Sequence, residues 1–127
     1  MSASRKRPVF LNLAKIQMPV GALTSIGHRI SGVLLSFSVP AAVYLFGLSL
    51  RDDQGFASVA TLFTRFPVKA AAVVAVWALA HHVLGGVRHM LSDFDIGSPL
   101  QLARRSAWFV NIGAVVLALF TAVVIWR

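Results

Sequence analysis

The sequence predicts an all-α integral membrane protein with three transmembrane helices. Of its 127 residues, 57% are hydrophobic and only 13% are charged, and the mean hydropathy is +0.78. A soluble protein of this length cannot bury so much apolar surface. Three apolar blocks, 30–50, 70–87 and 106–126, carry no formal charge. Each is close to the roughly 20 residues that cross about 30 Å of hydrocarbon.

The stretches between these blocks are too short for a separate domain, so we expect one membrane domain. Its predicted segments are a basic cytoplasmic tail (1–20), a first helix (21–50), an external connector (51–66), a second helix (67–92), a cytoplasmic connector (93–104) and a third helix (105–127). Pro19 is expected to open the first helix, because its missing N–H costs nothing there, and Pro40 to kink it. Helical spacing of Phe56, Val59 and Phe63 predicts a short interfacial helix in the external connector.

The distribution of charge predicts the orientation in the membrane. Twelve Lys and Arg residues oppose four acidic residues. They lie at the ends of apolar blocks instead of in one stripe, so we expect no nucleic-acid partner. Eight of them fall on the side of the N-terminus and place it in the cytoplasm: Arg5, Lys6, Arg7, Lys15, Arg29, Arg88, Arg104 and Arg105. The absence of Cys excludes disulfides, thiol catalysis and iron–sulfur clusters bound by this chain.

A first polar cluster lies near the cytoplasmic end of the first helix. Ser25, His28, Arg29 and Gly32 are spaced i, i+3, i+4 and i+7, which places them on one helix face. This face is typical of a polar pocket wall, since ionisable side chains in a span are costly. The alternative is that Arg29 reaches the phosphate headgroups while Ser25 caps the helix.

A second cluster lies on the second helix, where His82, Gly85, Gly86 and His89 form a stripe at i, i+3, i+4 and i+7. A neutral imidazole is a good ligand for iron, and glycines one turn away leave room for a flat macrocycle. His89 lies about 10 Å along the axis from His82. His82 can therefore reach a haem iron while His89 and Arg88 reach the carboxylates at the haem edge.

Simpler interpretations of the second cluster stay open. A histidine in a span often only hydrogen-bonds a neighbouring helix, and glycines often serve close helix packing. Zinc is less favoured, because a structural zinc site needs about four ligands and Cys is absent. His81 points away from His82 and is not expected to be a ligand. Since one axial ligand is visible, we expect another chain to supply the second.

The motifs resemble a known family. They are Arg7-Pro8-Val9, Ser25-Ile26-Gly27-His28-Arg29-Ile30-Ser31-Gly32 and His82-Val83-Leu84-Gly85-Gly86-Val87-Arg88-His89-Met90-Leu91-Ser92-Asp93. Together they resemble the cytochrome b membrane-anchor C subunit of succinate dehydrogenase, over nearly the whole chain. The resemblance implies a subunit of a succinate:quinone oxidoreductase, with no catalytic activity of its own. It would pack with a second anchor subunit into a helix bundle.

The resemblance also implies roles for individual residues. His82 would be the axial ligand of haem b, and the second anchor would supply the other histidine. The residues near the haem propionates would be His28, Arg29, His89 and Arg88. The ubiquinone site would contain Ser25, Ile26 and Arg29, and Asp93 would serve a proton route or a structural role. The implied partners are this second anchor, an iron–sulfur subunit, a flavoprotein subunit and membrane lipids.

Two other functional interpretations remain beside the redox anchor. One is a haem-free quinone anchor of the same superfamily, and the other is a non-redox membrane scaffold whose polar residues join helices. Ser25 and Arg29 can donate hydrogen bonds to a quinone oxygen, and this is a physical reason to expect a quinone site. We expect a multi-pass protein of the bacterial inner membrane, since no transit peptide precedes the first motif.

Overall fold

A computed structural model describes residues 17–127. The basic residues Arg5, Lys6, Arg7 and Lys15, predicted to face the cytoplasm, lie outside the described residues. The helices are α1 (Val20–Ser49), α2 (Asp53–Leu62), α3 (Phe66–Asp93) and α4 (Leu100–Trp126). By length and composition, α1, α3 and α4 are candidate membrane spans. The predicted fold class is confirmed, while the cytoplasmic position of the N-terminus stays a prediction.

Prolines lie at the start of the first span and within it. Pro19 is the N-cap of α1, with an extended backbone, as expected for a residue that cannot donate a backbone hydrogen bond. Pro40 lies within α1, which continues as one helix on both sides of it. Ser25 lies in the second turn of this helix and no side chain caps its start. The alternative in which Ser25 caps the helix is therefore wrong.

The connector after α1 contains the expected short helix. Asp52 is the N-cap of α2, and its carboxylate accepts a hydrogen bond from the Gly55 N–H at 2.7 Å. Such a cap satisfies a donor that the first turn would otherwise leave unpaired. Gly55 packs against the carbonyl oxygen of Leu48, where a side chain would not fit. α2 thus folds back on the end of α1.

The last span begins earlier than the sequence predicted. α4 starts at Leu100, directly after the N-cap Pro99, whereas position 105 was expected. The expected start was placed beside the uncharged block 106–126. The helix also includes Arg104 and the residues before it, because arginine has good helix propensity and its charge does not end a helix. The turn between α3 and α4 is short, and Asp95 and Gly97 within it have φ of 58° and 85°.

The helices pack through small side chains. α3 contacts both α1 and α4, and α1 also contacts α4. Ala78, Ala107 and Ala114 are 0% exposed, and Gly85 is buried. In lipid, helices associate mainly through close van der Waals packing and interhelical hydrogen bonds, and small residues permit that approach. The close α1–α3 contact places the two polar clusters face to face.

Candidate functional site

Three histidines from the two predicted clusters form a row between α1 and α3. The rings of His28 and His82 stack with centroids 4.1 Å apart and planes 9° apart. His89 meets the other side of the row edge-on, with its centroid 5.2 Å from that of His28. The sequence placed His82 and His89 on one stripe of α3. The structure adds that His28 of α1 occupies the space between them.

Two hydrogen bonds fix the orientation of His82. Its Nδ1 lies 3.2 Å from the carbonyl oxygen of His28 and 3.2 Å from Oγ of Ser31. A carbonyl oxygen only accepts, so Nδ1 carries the proton and donates it. The Ser31 hydroxyl donates its own proton to the same carbonyl at 2.8 Å, which leaves its lone pairs to face Nδ1. In this tautomer, Nε2 of His82 presents a lone pair, the form that ligates a metal.

Glycines make room for the histidine row. A Cβ at Gly85 would lie 2.9 Å from Cδ2 of His28, and a Cβ at Gly86 would lie 3.5 Å from its Nε2. These glycines were expected to leave space for a macrocycle, and this expectation is corrected: the space holds the His28 ring. On α1, a Cβ at Gly32 would lie 3.1 Å from Cε1 of His82. Each helix thus receives an imidazole of the other.

The predicted quinone residues lie beside this row on α1. Ser25 is half-buried, whereas Arg29 and Ile26 are exposed. Ser25 and Arg29 are four residues apart, so the hydroxyl and the guanidinium are neighbours on the same face of α1. Their exposure leaves them accessible to a ligand or to another chain, and their role stays a prediction.

Two further predicted residues lie apart from the row. The Nε of Arg88 donates to Oγ of Ser106 at 3.1 Å, and its Nη2 donates to the carbonyl oxygen of Ala103 at 3.4 Å. Arg88 is thereby directed to α4, and its predicted contact with a haem propionate stays a prediction. Asp93 is exposed at the last position of α3.

A buried polar network was not predicted from the sequence. Nε2 of His81 donates to Oδ1 of Asn111 at 3.1 Å, and the Thr24 hydroxyl lies 3.2 Å from the same oxygen. Thr24 is 1% and His81 is 3% exposed. The His81 ring packs against Gly27, where a Cβ would lie 2.7 Å from its Cε1. Thr24, His81 and Asn111 are polar residues within three different apolar spans, and this placement was the signal in the sequence.

This network gives His81 a different state from its neighbour. Because the Asn111 oxygen accepts, Nε2 of His81 carries the proton. Its Nδ1 is buried and has no hydrogen-bond partner among residues 17–127. The adjacent histidines therefore hold opposite tautomers: His82 carries its proton on Nδ1 and His81 on Nε2. His82 presents its free Nε2 at a half-buried position, while His81 of α3 is buried against α1 and α4.

Within the described residues, no three His, Cys, Asp or Glu side chains converge where they could hold a metal ion. The fold and site define a class: a three-span, all-α membrane protein with a histidine row between two spans.

Comparisons with known proteins narrow the class. The model of a family described as succinate dehydrogenase/fumarate reductase transmembrane subunit matches residues 3–123. A succinate dehydrogenase cytochrome b556 subunit from Coxiella burnetii is 31% identical over 122 residues, covering 95% of this chain and 98% of the relative. The cytochrome b556 subunit from Paracoccus denitrificans is 28% identical over 118 residues, covering 93% and 91%. A mitochondrial cytochrome b560 subunit from Mus musculus is 30% identical and covers 95% and 70%.

This chain belongs to the family of succinate dehydrogenase and fumarate reductase transmembrane subunits. The resemblance found in the sequence motifs is thereby confirmed. The match extends over all three candidate spans.

Proposed function

We propose that this chain is a membrane-anchor subunit of a succinate dehydrogenase that holds haem b and ubiquinone jointly with partner subunits. The observation that carries the proposal is the orientation of His82, whose Nδ1 donates to the His28 carbonyl and whose Nε2 keeps its lone pair. Relatives from Coxiella and Paracoccus are described as cytochrome b556 subunits, and this supports haem b as the group that His82 binds.

The residues around His82 fit a haem iron. When bound, haem b would accept and release one electron at a time. His82 would hold the iron, and the stacked His28 ring would keep the His82 plane fixed. Ser31 and the His28 carbonyl are outer partners of the kind that orient metal-binding imidazoles and raise their basicity. His89 and Arg29 are exposed and would donate hydrogen bonds to the propionates.

The proposal places a partner chain on the open side of the histidine row. A second anchor subunit would contribute another histidine to hold the haem iron. The electrons would arrive through an iron–sulfur subunit from a flavoprotein subunit that oxidises succinate. The chain would therefore have no autonomous activity. Bacterial relatives support a multi-pass position in a bacterial inner membrane.

Ser25, Ile26 and Arg29 would form this chain's part of the quinone site. Quinone reduction takes up two electrons and two protons, so the site needs donors at the carbonyl oxygens. The Ser25 hydroxyl would donate to one oxygen, and the Arg29 guanidinium would stabilise the negative charge that develops there. Ile26, 40% exposed, would cover the apolar side of the ring. Asp93 would lie on the route by which protons enter.

Paired activity assays test the quinone assignment. For Ser25→Ala and Arg29→Gln in the intact complex, we expect quinone reduction to fall by roughly two to three orders of magnitude, as for loss of a charge-stabilising donor. Succinate oxidation with a soluble artificial acceptor should be retained. Ser36→Ala is the control, because its exposed hydroxyl bonds only the Val33 carbonyl. Unchanged quinone reduction in Ser25→Ala and Arg29→Gln would refute the assignment, whereas equal loss of both activities would indicate failed assembly.

A further inference from the structure

A cavity between α3 and α4 contains no residue of the histidine row and none of the proposed quinone residues. Its volume is about 430 Å³, and it opens where α3 ends and α4 begins. Most of its wall is apolar, including Leu84, Leu102, Phe109 and Val110, while Arg88 and Arg105 also line it. An apolar cavity with two guanidinium groups in its wall selects a ligand that has both a hydrocarbon part and an anionic part.

The two arginines stand at matching depths. Arg88 lies five residues before the end of α3 and Arg105 five residues after the start of α4. At 1.5 Å per residue, each lies about 7.5 Å inside its helix end. Leu84 and Val110 lie about 6 to 8 Å deeper by the same rise. The charged level is thus close to the membrane surface, and the apolar wall extends from it toward the hydrocarbon.

The positive charge at this level is not neutralised by the cavity itself. Both hydrogen bonds of Arg88 go to neutral oxygens of Ser106 and Ala103, and these bonds fix the guanidinium in place. Among the described residues, no Asp or Glu lines the cavity. A half-buried guanidinium without an acidic partner attracts an anion strongly, because its surroundings screen charge less than water does.

From this arrangement we propose that the cavity binds an anionic glycerophospholipid. The phosphate lies between Arg88 and Arg105, whose planar forks match phosphate oxygens, and an acyl chain lies along Leu84, Phe109 and Val110. Basic pockets between transmembrane helices commonly bind anionic headgroups in this way. No residue of the histidine row or of the proposed quinone site lines the cavity. Arg88 is shared with the haem-propionate prediction, and its hydrogen bonds to Ser106 and Ala103 direct it toward α4 and this cavity.

Lipid retention by the intact complex tests this proposal. The complex is purified in mild detergent, incubated with equal amounts of phosphatidylglycerol and phosphatidylcholine of identical acyl chains, and analysed by native mass spectrometry. We expect preferential retention of phosphatidylglycerol. Arg105→Gln should lower this retention about fivefold, since one arginine near the surface contributes about 1 kcal/mol. Arg104→Gln is the matched control, because this exposed neighbour does not line the cavity.

A second variant keeps the test decisive if Arg105→Gln impairs assembly. Leu102→Trp should reduce retention of the lipid by filling the cavity without removing charge. Excess inorganic phosphate should not displace the lipid, because phosphate lacks the acyl chain. Equal retention of the two lipids, equal effects of Arg104→Gln and Arg105→Gln, displacement by phosphate or by a ubiquinone analogue, or full retention in Leu102→Trp would each overturn the proposal.

Discussion

His81 and His82 are neighbours in the chain, yet α1 and α4 give them different chemical states. His82 donates from Nδ1 to a backbone carbonyl, whereas His81 donates from Nε2 to Asn111. The sequence distinguished the two by their helix faces and selected His82. It could not predict the tautomers, because these depend on which acceptor of another helix each ring meets.

The Ser31 hydroxyl is expected to tune iron binding through His82. Ser31→Ala removes one of the two oxygens facing Nδ1 but leaves the His28 carbonyl. We therefore expect haem retention about tenfold weaker, the lower end for loss of an outer partner, measured by haem loss to an excess of an apo haem scavenger. Ser36→Ala, which removes a similar backbone-bonded hydroxyl away from the row, should lose haem at the wild-type rate. Identical rates in Ser31→Ala and wild type would exclude this role.

Gly27 tests the packing of His81 against α1. In Gly27→Ala the new Cβ would lie 2.7 Å from a ring that Asn111 holds in place, so overpacking should cost about 1 to 3 kcal/mol. Gly47→Ala is the matched control on the same helix, because nothing lies within 4 Å of its Cβ position. The midpoint temperature of unfolding should fall in Gly27→Ala and stay level or rise in Gly47→Ala. The reverse order would contradict the packing.

At the scale of the element, α1 has two different sides. One side, with Thr24, Gly27 and Ser31, contacts α3 and α4. The other, with Ser25 and Arg29, is more open. Hydropathy predicted where α1 lies, and Pro19 predicted its start. The sequence did not predict that Thr24 would be the buried hydroxyl next to the predicted site residue Ser25, since a one-residue step changes the helix face by about 100°.

The three-helix network predicts a measurable coupling. Asn111→Leu removes the acceptor of both His81 and Thr24 and leaves His81 without a partner in the core. We expect a loss of about 1 to 2 kcal/mol in unfolding free energy, measured by titration with a denaturing detergent. Thr24→Val should cost less, because the Asn111 oxygen keeps its hydrogen bond from His81.

A double-mutant cycle separates the network from general packing. The Thr24→Val and Asn111→Leu losses should fall short of additivity, with a coupling of about 0.6 kcal/mol as for typical interhelical hydrogen bonds. Thr121→Val on α4 is a control, because its hydroxyl bonds only the Leu117 carbonyl of its own helix. Strict additivity of Thr24→Val and Asn111→Leu would contradict a shared acceptor.

At the scale of the whole molecule, the described residues form a small core and a large apolar surface. Its core consists of small residues and a few polar ones, while large apolar side chains such as Phe37, Phe46 and Phe120 are exposed. Either lipid or a partner helix can cover such an apolar surface, so hydropathy predicts the spans but does not tell which of these covers each face. The histidine motifs predicted the family because they are specific in type and spacing. The remaining lining of the proposed haem and quinone sites would come from other chains, whose residues this sequence does not contain.

The measurement that tests the central claim most directly is the absorption of the intact complex with and without the His82 imidazole. We predict a reduced-minus-oxidised spectrum of low-spin haem b in the wild type, its loss in His82→Gly, and its partial recovery when free imidazole is added. Recovery would show that the fold persists and that the ligand alone is missing. An unchanged spectrum in His82→Gly, or a wild-type complex without a haem band, would contradict the account and favour a haem-free anchor or a scaffold.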